Sequence, residues 1–536
     1  RLADMLLPLI LAAFPQYVPQ DGMTLYSLSN SKESHLIDIQ GNNMHSWKGQ
    51  ANPGLANYLS PEGNLLRLYK ISGFPGAALG GSGGGLREFD WDGQILWDFQ
   101  LANTTEHLHH DLAILPNGNI LALAWENVGR SSAIAAGRNP SYLQGQDFWS
   151  DRVIEIERGT GNIVWQWRIW DHVVQDYDSS LPSHGVVADH PELLSMNYPA
   201  RTVNRGDWIH LNSVAYNPAL DQILISSREW SEIWVIDHST TTAEAAGHSG
   251  GRYGKGGDIL YRWGNPECYD RGTSSDRLLF GQHDANWIPD GYPGESNILL
   301  YNNGNSRPSG RYSSIEELVP AVDAQGNYAV PATSPFGPTT SHWTWTDSPP
   351  SNMYSSAISG CERQPNGNTL ICCGQDGRLI EVDPAGNVVW DIQPQGSSSI
   401  FKVRRYQKWL WPGNGVLTAS TGDTLELDIV AGSDRGNRDY WIVGGFSGTS
   451  PGTTLPGGIV APLNNDAFTQ FVMQKTNGPG FQSFRGTLDA NGFASAKIDT
   501  MGPIPSSLIG KTAHFCFVTL NPIDFASNPI PIQIKP

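Results

Sequence analysis

The chain contains an internal repeat whose two ends complete one another. One unit is a strand, a tight turn, a strand, a variable loop, a strand, a Gly-containing turn and a strand that ends in Trp. The second copy reads HHDLAILPNGNILALAW and then RVIEIERGTGNIVWQW; the fifth reads SSAISGCERQPNGNTLICC and then GRLIEVDPAGNVVWDI. A fixed repeat of short strands indicates a quasi-symmetric β-architecture in which each unit forms one small sheet.

Five copies lie between about residues 56 and 392, and the flanking segments supply a sixth. Residues 24–47 hold the last three strands of a unit, and residues 401–406 hold one first strand. A strand from the C-terminal side would therefore complete the N-terminal sheet and remove its exposed edge. The sequence predicts an all-β chain with a six-bladed β-propeller closed by N- and C-terminal strands and followed by a small β-sandwich.

We expect three regions from this reading. Residues 1–20 carry one apolar run among small residues and resemble the remainder of a secretory signal, which predicts a secreted (periplasmic or extracellular) protein; the alternative is a buried N-terminal segment. Residues 21–412 form the propeller. Residues 413–536 break the period and form a C-terminal β-sandwich.

The composition restricts the partners of the chain. The net charge is −18 and the pI is about 5.1, which disfavours nucleic acid and anionic membrane surfaces as general partners. An anionic substrate would need a local positive pocket. The five cysteines have no metal-ligand spacing, and we expect buried thiols. Symmetry about Asn366-Gly367 predicts that Cys361 and Cys372 lie opposite each other.

Histidines open the first strands of three successive copies. These are His110, His210 and His283. His109 and His110 are neighbours on one strand, so only one of them can face the central channel, and the spacing to Ile120 favours His110. First strands line the channel of a propeller, and the long connections emerge at the same end, so the three imidazoles are expected to converge in an active site.

Several readings of these histidines remain open from the residues alone. Each could be a hydrogen-bonded structural residue, a nucleophile, or a general acid or base. Three converging imidazoles could also hold zinc or copper. No carboxylate or Cys recurs beside them, so we predict no metal and no cofactor.

The motifs around these residues carry a family resemblance. They include HHDLAILPNGNIL, DWIHLNSVAYN, VIDHSTTTAEAAG, FGQHDANWIPDG and YNNGNSR. Over roughly residues 24–410 the chain resembles the bacterial aryl sulfotransferase (arylsulfate sulfotransferase) family, especially its secreted branch. The resemblance implies transfer of a sulfuryl group from a small aryl sulfate to a phenol through a sulfohistidine, without a nucleotide donor. By motif, His210 and His283 match site histidines and Arg307 matches an arginine that binds sulfate oxygens.

The chain departs from the family pattern at one position. The family's nucleophilic histidine precedes a Tyr-Ser pair, but here the segment is PPSNMYSSAISG, with Ser351 near the expected place. His342 lies nine residues earlier and is expected on an outer strand. Either His283 or His210 then acts as the nucleophile, with His110 as a further channel residue, or this branch does different chemistry.

Two other functions are compatible with the sequence. The first is a non-catalytic propeller that binds sulfated phenols or polymers through the same pocket. The second is a quinoprotein oxidoreductase, in which Trp-ending strands also recur; such a site needs pyrroloquinoline quinone and calcium, held by carboxylates that the sequence does not place. The sequence does not indicate an oligomeric state.

Overall fold

A computed structural model of the chain describes residues 18–536 except 21, 61–62, 74–78, 91–92, 395, 397, 407–408, 413–414, 432–434, 450 and 491. Strands dominate this part of the chain, and the α-helices are Gly129–Ala135, Thr242–Ala245 and Ala467–Lys475. Short 3₁₀ turns lie in the connections, at Pro140–Tyr142, Ile169–Asp171, Val187–Asp189, Asn204–Gly206, Pro266–Tyr269, Ser274–Asp276, Pro350–Asn352 and Ser506–Leu508. Among the described residues, no helix is both apolar and long enough to span a bilayer.

The five complete copies of the repeat each form a four-stranded antiparallel sheet with strands in chain order. Sheet 1 contains Pro53–Leu59, Leu65–Lys70, Gly84–Phe89 and Ile95–Gln100. Sheet 2 contains Glu106–Ile114, Ile120–Asn127, Trp149–Ile156 and Ile163–Arg168. Sheet 3 contains Leu211–Asn217, Gln222–Ser227, Glu232–Asp237 and Tyr261–Trp263. Sheet 4 contains His283–Trp287, Ile298–Asn302, Ser314–Leu318 and Trp343–Trp345, and sheet 5 contains Gly360–Arg363, Thr369–Cys373, Arg378–Val382 and Val388–Ile392.

Sheet 6 is built from both ends of the repeat region. Its strands are Arg404–Tyr406, Met23–Ser27, Glu33–Ile37 and Asn43–Lys48, in that order. Met23 pairs with Tyr406 and Leu25 with Arg404 in the antiparallel ladder. The strand left over near residue 404 therefore pairs with the incomplete N-terminal unit, as the repeat pattern indicates.

Hydrogen bonds join the first strand of each sheet to the first strand of the next. Their donors and acceptors are Tyr58 Oη to Asp111 Oδ1, Val214 N to Asp111 Oδ2, Ala285 N to Ser213 Oγ, Cys361 N to Asp284 Oδ2, Arg405 N to Glu362 Oε2 and Leu59 N to Tyr406 Oη. The series runs from sheet 1 through sheet 6 and returns to sheet 1. Polar side chains on the first strands thus link the sheets in sequence order.

The tryptophans of the fourth strands explain the Trp signal of the repeat. The indole N–H of Trp47 donates to Asp90 O, that of Trp345 to Gly386 O and that of Trp390 to Ile39 O. Each acceptor lies in the turn between the third and fourth strands of the following sheet. A large buried ring with one polar atom suits this place, because it fills the gap between sheets and also pairs a turn carbonyl.

Residues beyond the repeat form two further sheets that share one apolar core. One has the order Trp409–Pro412, Thr424–Val430, Phe493–Asp499 and Phe481–Gln482; the other has the order Val416–Thr418, Ile530–Lys535, Thr512–Leu520, Asp439–Gly445 and Arg485–Thr487. Two short strand pairs, Val173–Val174 with Leu194–Ser195 and Thr453–Thr454 with Val460–Ala461, complete the list.

Two of the predicted boundaries can be compared with the described residues. Trp409–Pro412, placed in the propeller by the range 21–412, pairs with Thr424–Val430 and belongs with residues 413–536, because buried Leu410 joins the C-terminal core. Residues 1–17 of the predicted 1–20 leader lie outside the described residues. At its end, Val18 O accepts from Asn368 Nδ2 and Gln20 N donates to Glu381 Oε1, so these residues pack on sheet 5.

All five cysteines are buried thiols, but the predicted pairing of Cys361 with Cys372 is wrong. Cys361 pairs with Ile371, and Gly360 pairs with Cys372. The turn closes between Gln364 and Asn368 and holds three residues, not two, which shifts the register by one.

Candidate active site

The three sequence-predicted histidines line one cavity of about 260 Å³. Its other lining residues are Leu55, Leu79, Gly80, Gly81, Asn204, Asp207, Arg228, Glu229, Ala357 and Ile358. The ring centroids of His110 and His210 are 4.7 Å apart. The lining includes apolar side chains, two carboxylates and one arginine. The volume lies just below the usual range of about 300–1,000 Å³ for ligand sites, which favours a single-ring ligand.

His210 lines the cavity and is held by a carboxylate through one ring nitrogen. Its Nδ1 lies 2.5 Å from Oδ2 of Asp207, three residues earlier. Among the described residues, Nε2 of His210 has no hydrogen-bond partner. A carboxylate on Nδ1 fixes the tautomer with Nδ1–H and leaves the lone pair on Nε2, in a side chain that lines the cavity. This imidazole therefore has the arrangement of a nucleophile or general base.

The local fold explains the orientation of His210. The preceding 3₁₀ turn ends at Gly206, and the buried Trp208 anchors the segment by donating from Nε1 to Tyr198 O. His210 itself has φ of +55°, and the ladder that follows has a bulge between Leu211 and Ser213. A left-handed residue before a bulge turns its side chain out of the ladder and into the cavity.

His110 reaches the cavity in the same way. Its φ is +49°, and its N–H donates to Gly81 O. A Cβ at Gly81 would lie 2.0 Å from the His110 ring, so a glycine is required there. Nδ1 of His110 is 2.8 Å from Nδ1 of His109, which turns away and stacks on Trp125. Of the two neighbours, His110 is the one that lines the cavity, as the sequence predicts.

Burial keeps His109 and His110 neutral. Burial, and then the neighbouring His210, lower the pKa of both side chains well below the usual value. Two neutral imidazoles can share one N–H between their Nδ1 atoms, which explains the contact. Nε2 of His109 lies 3.0 Å from Oδ1 of Asp151, whose pKa is raised, mainly by burial. His109 and Asp151 thus hold the ring of His110 through the contact between the two Nδ1 atoms.

His283 lines the cavity, but both of its ring nitrogens already have partners. Asn303 donates from Nδ2 to Ser355 O, so its Oδ1 accepts from Nδ1–H of His283 at 2.8 Å. Nε2 then accepts from the amide N–H of Ile358 at 3.1 Å. Burial, and then the charge of Arg228, lower the pKa of His283 to about 3. His283 is thus neutral, with its Nε2 lone pair occupied.

In the first strand of sheet 4, the left-handed residue is the one after the histidine, whereas in sheets 2 and 3 it is the histidine itself. The left-handed residue there is Asp284, with φ of +55°, and not His283. The carboxylate of Asp284 lies with Asp111, Lys402 and Arg404 in a buried group: Lys402 Nζ is 2.7 Å from Asp111 Oδ2 and 3.0 Å from Asp284 Oδ1. Arg404 adds two bonds to Asp284.

The arginine at the cavity is Arg228, which sequence reasoning missed. It follows directly on the second strand of sheet 3, at the end of that sheet where His210 lies, and its Nη1 donates to Glu229 Oε1 at 2.6 Å. Arg228 and Glu229 also line an adjoining cleft of about 290 Å³ together with Arg201 and Arg277. Glu229 also lies 3.3 Å from Arg201, so the lining of the cleft carries three arginines and one carboxylate. The available signal in the sequence was that Arg228 directly follows a strand, at the end of the sheet where His210 lies.

Arg307 is not brought to the cavity. Its guanidinium lies 4.4 Å from the ring centroid of Tyr312 and 5.5 Å from that of Phe280, and Nη2 donates to Ser314 Oγ. The loop after Asn302 is long enough to turn the side chain back onto its own sheet. Arg307 therefore packs as a structural residue in this conformation.

The remaining positions raised by the sequence lie away from the histidines. Ser351 is exposed in the 3₁₀ turn Pro350–Asn352. His342 immediately precedes the outermost strand of sheet 4, and its N–H donates to Glu317 O. Neither lines the cavity, whose wall near this segment is formed by Ala357 and Ile358.

Comparison with protein families decides the membership of the chain. The family model described as Arylsulfotransferase (ASST) matches residues 71–408. The chain belongs to the arylsulfotransferase family. Membership in this family supports aryl sulfotransferase activity in general terms, and the match spans the sheets that carry His110, His210, Arg228 and His283. Among curated proteins, none matches the chain significantly.

Several solved structures are distantly similar to this family member. A protein of unknown function from Bacteroides caccae is 12% identical with a TM-score of 0.38, covering 72% of this chain and 98% of that one. The β-propeller domain of Myceliophteria thermophila Cps50 (Swd1) is 10% identical with a TM-score of 0.36, covering 71% and 91%. Virginiamycin B lyase from Staphylococcus aureus is 10% identical with a TM-score of 0.34, covering 71% and 84%. Similarities at this level carry no inference about function.

Proposed function

We propose that this arylsulfotransferase-family protein moves a sulfuryl group from an aryl sulfate to a phenolic acceptor through Nε2 of His210. The observation that supports this choice is the pairing of His210 Nδ1 with Asp207 Oδ2 at 2.5 Å, which leaves the lone pair on Nε2 of a side chain that lines the cavity. His283 is the weaker candidate, because Ile358 N–H occupies its Nε2. In this proposal, His210 takes the nucleophilic role that the family pattern gives to the histidine before the Tyr-Ser pair.

The reaction follows as two displacements at sulfur. The Nε2 lone pair of His210 attacks the sulfur of the aryl sulfate; the N–S bond forms, the S–O bond to the ring breaks, and the aryl oxygen leaves as phenolate with the bonding pair. The acceptor oxygen then attacks the same sulfur, the N–S bonding pair returns to Nε2, and the acceptor proton passes to the phenolate or to water. Between the steps the imidazole is cationic and Asp207 neutralises it through Nδ1–H.

Arg228 is the group best placed to bind the sulfuryl oxygens. Its guanidinium carries a permanent charge and planar donors that match an oxyanion. It lines both the histidine cavity and the adjoining cleft, so a donor and an acceptor could approach from the two spaces. Negative charge grows on the sulfuryl and phenolate oxygens in the transition state, and a fixed cation in a partly dry cavity stabilises it most there.

We also propose an architecture of a six-bladed β-propeller followed by a small β-sandwich. Six sheets joined first strand to first strand suit the blades of a closed six-bladed β-propeller, with the histidines at the start of the inner strands and the cavity at one end of the channel. The two sheets after Trp409 suit a small β-sandwich around a shared core. We also propose secretion, on the apolar residues at the start of the sequence, and small-molecule aryl sulfates and phenols as partners.

A second function is favoured by two observations. No histidine stands before the Tyr-Ser pair, and the Nε2 lone pair of His283 is occupied, so the cavity could bind sulfated phenols without transfer. The two functions differ in whether the S–O bond breaks.

Incubation with 4-nitrophenyl sulfate, with and without a phenol, tests the proposal. We expect nitrophenol release that depends on the acceptor, that is abolished by His210→Ala and that is retained by His190→Ala, which changes an exposed histidine paired with Glu192. Binding of the sulfate ester without release of nitrophenol, whichever acceptor is added, would support the binding function. Full turnover by His210→Ala would overturn the assignment of the nucleophile.

A further inference from the structure

A second group of histidines lies away from the cavity. Donor atoms of His172, His248 and Asp258 all lie within 4.8 Å of one another, and none of the three residues lines the histidine cavity. His172 follows the 3₁₀ turn after sheet 2, whereas His248 and Asp258 belong to the long connection before the last strand of sheet 3. The group therefore joins segments that are far apart in sequence.

Both imidazoles direct Nδ1 at the same carboxylate oxygen. Nδ1 of His172 is 3.1 Å from Asp258 Oδ1, and Nδ1 of His248 is 2.7 Å from it. His172 and Asp258 are buried, whereas the His248 side chain is 61% exposed and can adjust its position. Ligand atoms about 2.0–2.1 Å from a tetrahedral ion lie roughly 3.3 Å apart, so a small shift of His248 brings the donors to that spacing.

The hydrogen bond made by Nε2 of His172 leaves Nδ1 as the ring nitrogen that can bind a metal ion. Nε2 lies 2.8 Å from the carbonyl oxygen of Ala245, which can only accept, so Nε2 carries the hydrogen. Nδ1 is then the ring nitrogen that faces the Asp258 carboxylate, at 3.1 Å, and is the one available to a metal ion. A histidine that ligates through one nitrogen and donates from the other to a backbone carbonyl is the usual arrangement at metal centres.

The backbone around His172 is shaped for this contact. A Cβ at Gly257 would lie 2.1 Å from Ala245 O and 2.6 Å from His172 Nε2, so only glycine permits the approach of the ring to the carbonyl. Trp167 covers the other side, with its ring stacked on His172 at 5.6 Å and its Nε1 bonded to Gly257 O. The imidazole is held in one orientation before any ion arrives.

We propose that His172 Nδ1, His248 Nδ1 and Asp258 bind a divalent transition-metal ion of the zinc type, with the open position taken by water. Two imidazoles and one carboxylate are donors that zinc and cobalt(II) accept readily. The ion fastens the connection between residues 239 and 260 to the segment after sheet 2. The ion takes no part in the sulfuryl transfer, because the group lies outside the histidine cavity.

Titration of untagged, chelator-dialysed protein with cobalt(II) tests the site. We expect one equivalent of cobalt(II) bound per chain, with the visible bands of a four-coordinate ion, and a higher melting temperature when zinc is added. His248→Ala changes an exposed side chain and Asp258→Asn removes the shared carboxylate; each should weaken binding at least tenfold. His184→Ala, at another exposed histidine of the same region, is the control and should bind as the wild type does.

Three results would overturn this site. They are binding below one equivalent in the wild type, equal binding by His248→Ala, and nitrogen NMR that finds His172 doubly protonated and unchanged by metal. The last result would identify a proton as the cation between His172 and Asp258. If Asp258→Asn fails to fold, the test still stands on His248→Ala, which changes an exposed side chain.

Discussion

Oδ2 of Asp207 lies 2.5 Å from Nδ1 of His210, and both side chains line the histidine cavity. The two residues are three positions apart, and the buried Trp208 between them fixes their relation. The carboxylate selects the tautomer and stabilises the cationic ring that a bound sulfuryl group would create.

Asp207→Asn should therefore lower kcat sharply. The amide can hold the ring in the wrong tautomer and carries no charge, so we expect a loss of roughly 10²–10⁴-fold with a small change in KM. Steady-state kinetics with 4-nitrophenyl sulfate and a phenol measures it. Asp147→Asn, at an exposed carboxylate bonded to Asn127, is the matched control. A kcat for Asp207→Asn equal to that of the control would remove Asp207 from the site.

Arg228 and Arg307 give opposite predictions. Arg228→Ala should reduce kcat/KM by roughly 10²-fold or more, because a cation next to the sulfuryl oxygens is lost, and Arg228→Lys should restore part of it. Arg307→Ala should change the kinetics little and act on stability, since the guanidinium packs on Tyr312 and bonds to Ser314. The reverse ranking would return the sulfate-binding role to Arg307, as the family motif implies.

Lys402 should be a major contributor to stability. It lies between the buried carboxylates of Asp111 and Asp284, and Lys402→Met would leave Asp111 without its cation. Removal of one partner from a buried pair costs about 3–5 kcal/mol of unfolding free energy. Lys497→Met, at an exposed pair with Glu426, should cost at most about 1 kcal/mol. Chemical denaturation of the two variants measures the difference, and equal losses would contradict the prediction.

His238 should make stability depend on pH in the alkaline range. Burial lowers its pKa, but hydrogen bonds to Asp221 and Glu155 outweigh burial and raise the pKa to about 9. The folded state thus binds the proton more tightly than the unfolded state, whose pKa is about 6.5. The stabilisation is complete below pH 6.5 and is lost as the pH rises toward 9, by roughly 3 kcal/mol at most.

Denaturation of wild type and His238→Gln across pH 5.5–9.5 isolates this effect, the range following from the two pKa values. The difference in unfolding free energy between the two proteins should shrink over that window. A difference that stays constant or grows with pH would show that the two carboxylates do not hold a proton on His238.

Much of the fold was predictable because short-range signals repeat. Turns such as PNGN and DPAGN mark the hairpins, and the fourth-strand tryptophans mark the sheet junctions, so even the pairing of residues near 404 with the N-terminal strands could be inferred. Register was less predictable. One extra residue in the turn before Asn368 moved Cys372 opposite Gly360, and the period alone could not place the boundary at Trp409.

The site was predictable only in part. His110 and His210 were found because they open equivalent strands, and Asp207 stands in the same motif as His210. Arg228 carried no signal except its place at a strand end. The occupied Nε2 of His283 depends on an amide from sheet 5 and on the phase shift at Asp284, and contacts between sheets leave no mark in the local sequence.

Mass spectrometry of protein trapped with an aryl sulfate and no acceptor tests the central claim most directly. The expected result is an adduct of about 80 Da, the mass of a sulfuryl group, on His210. It should be present in the wild type and in His283→Ala and absent in His210→Ala. An adduct on His283 or His110, or acceptor-dependent turnover without any histidine adduct, would contradict the assignment of His210 as the nucleophile.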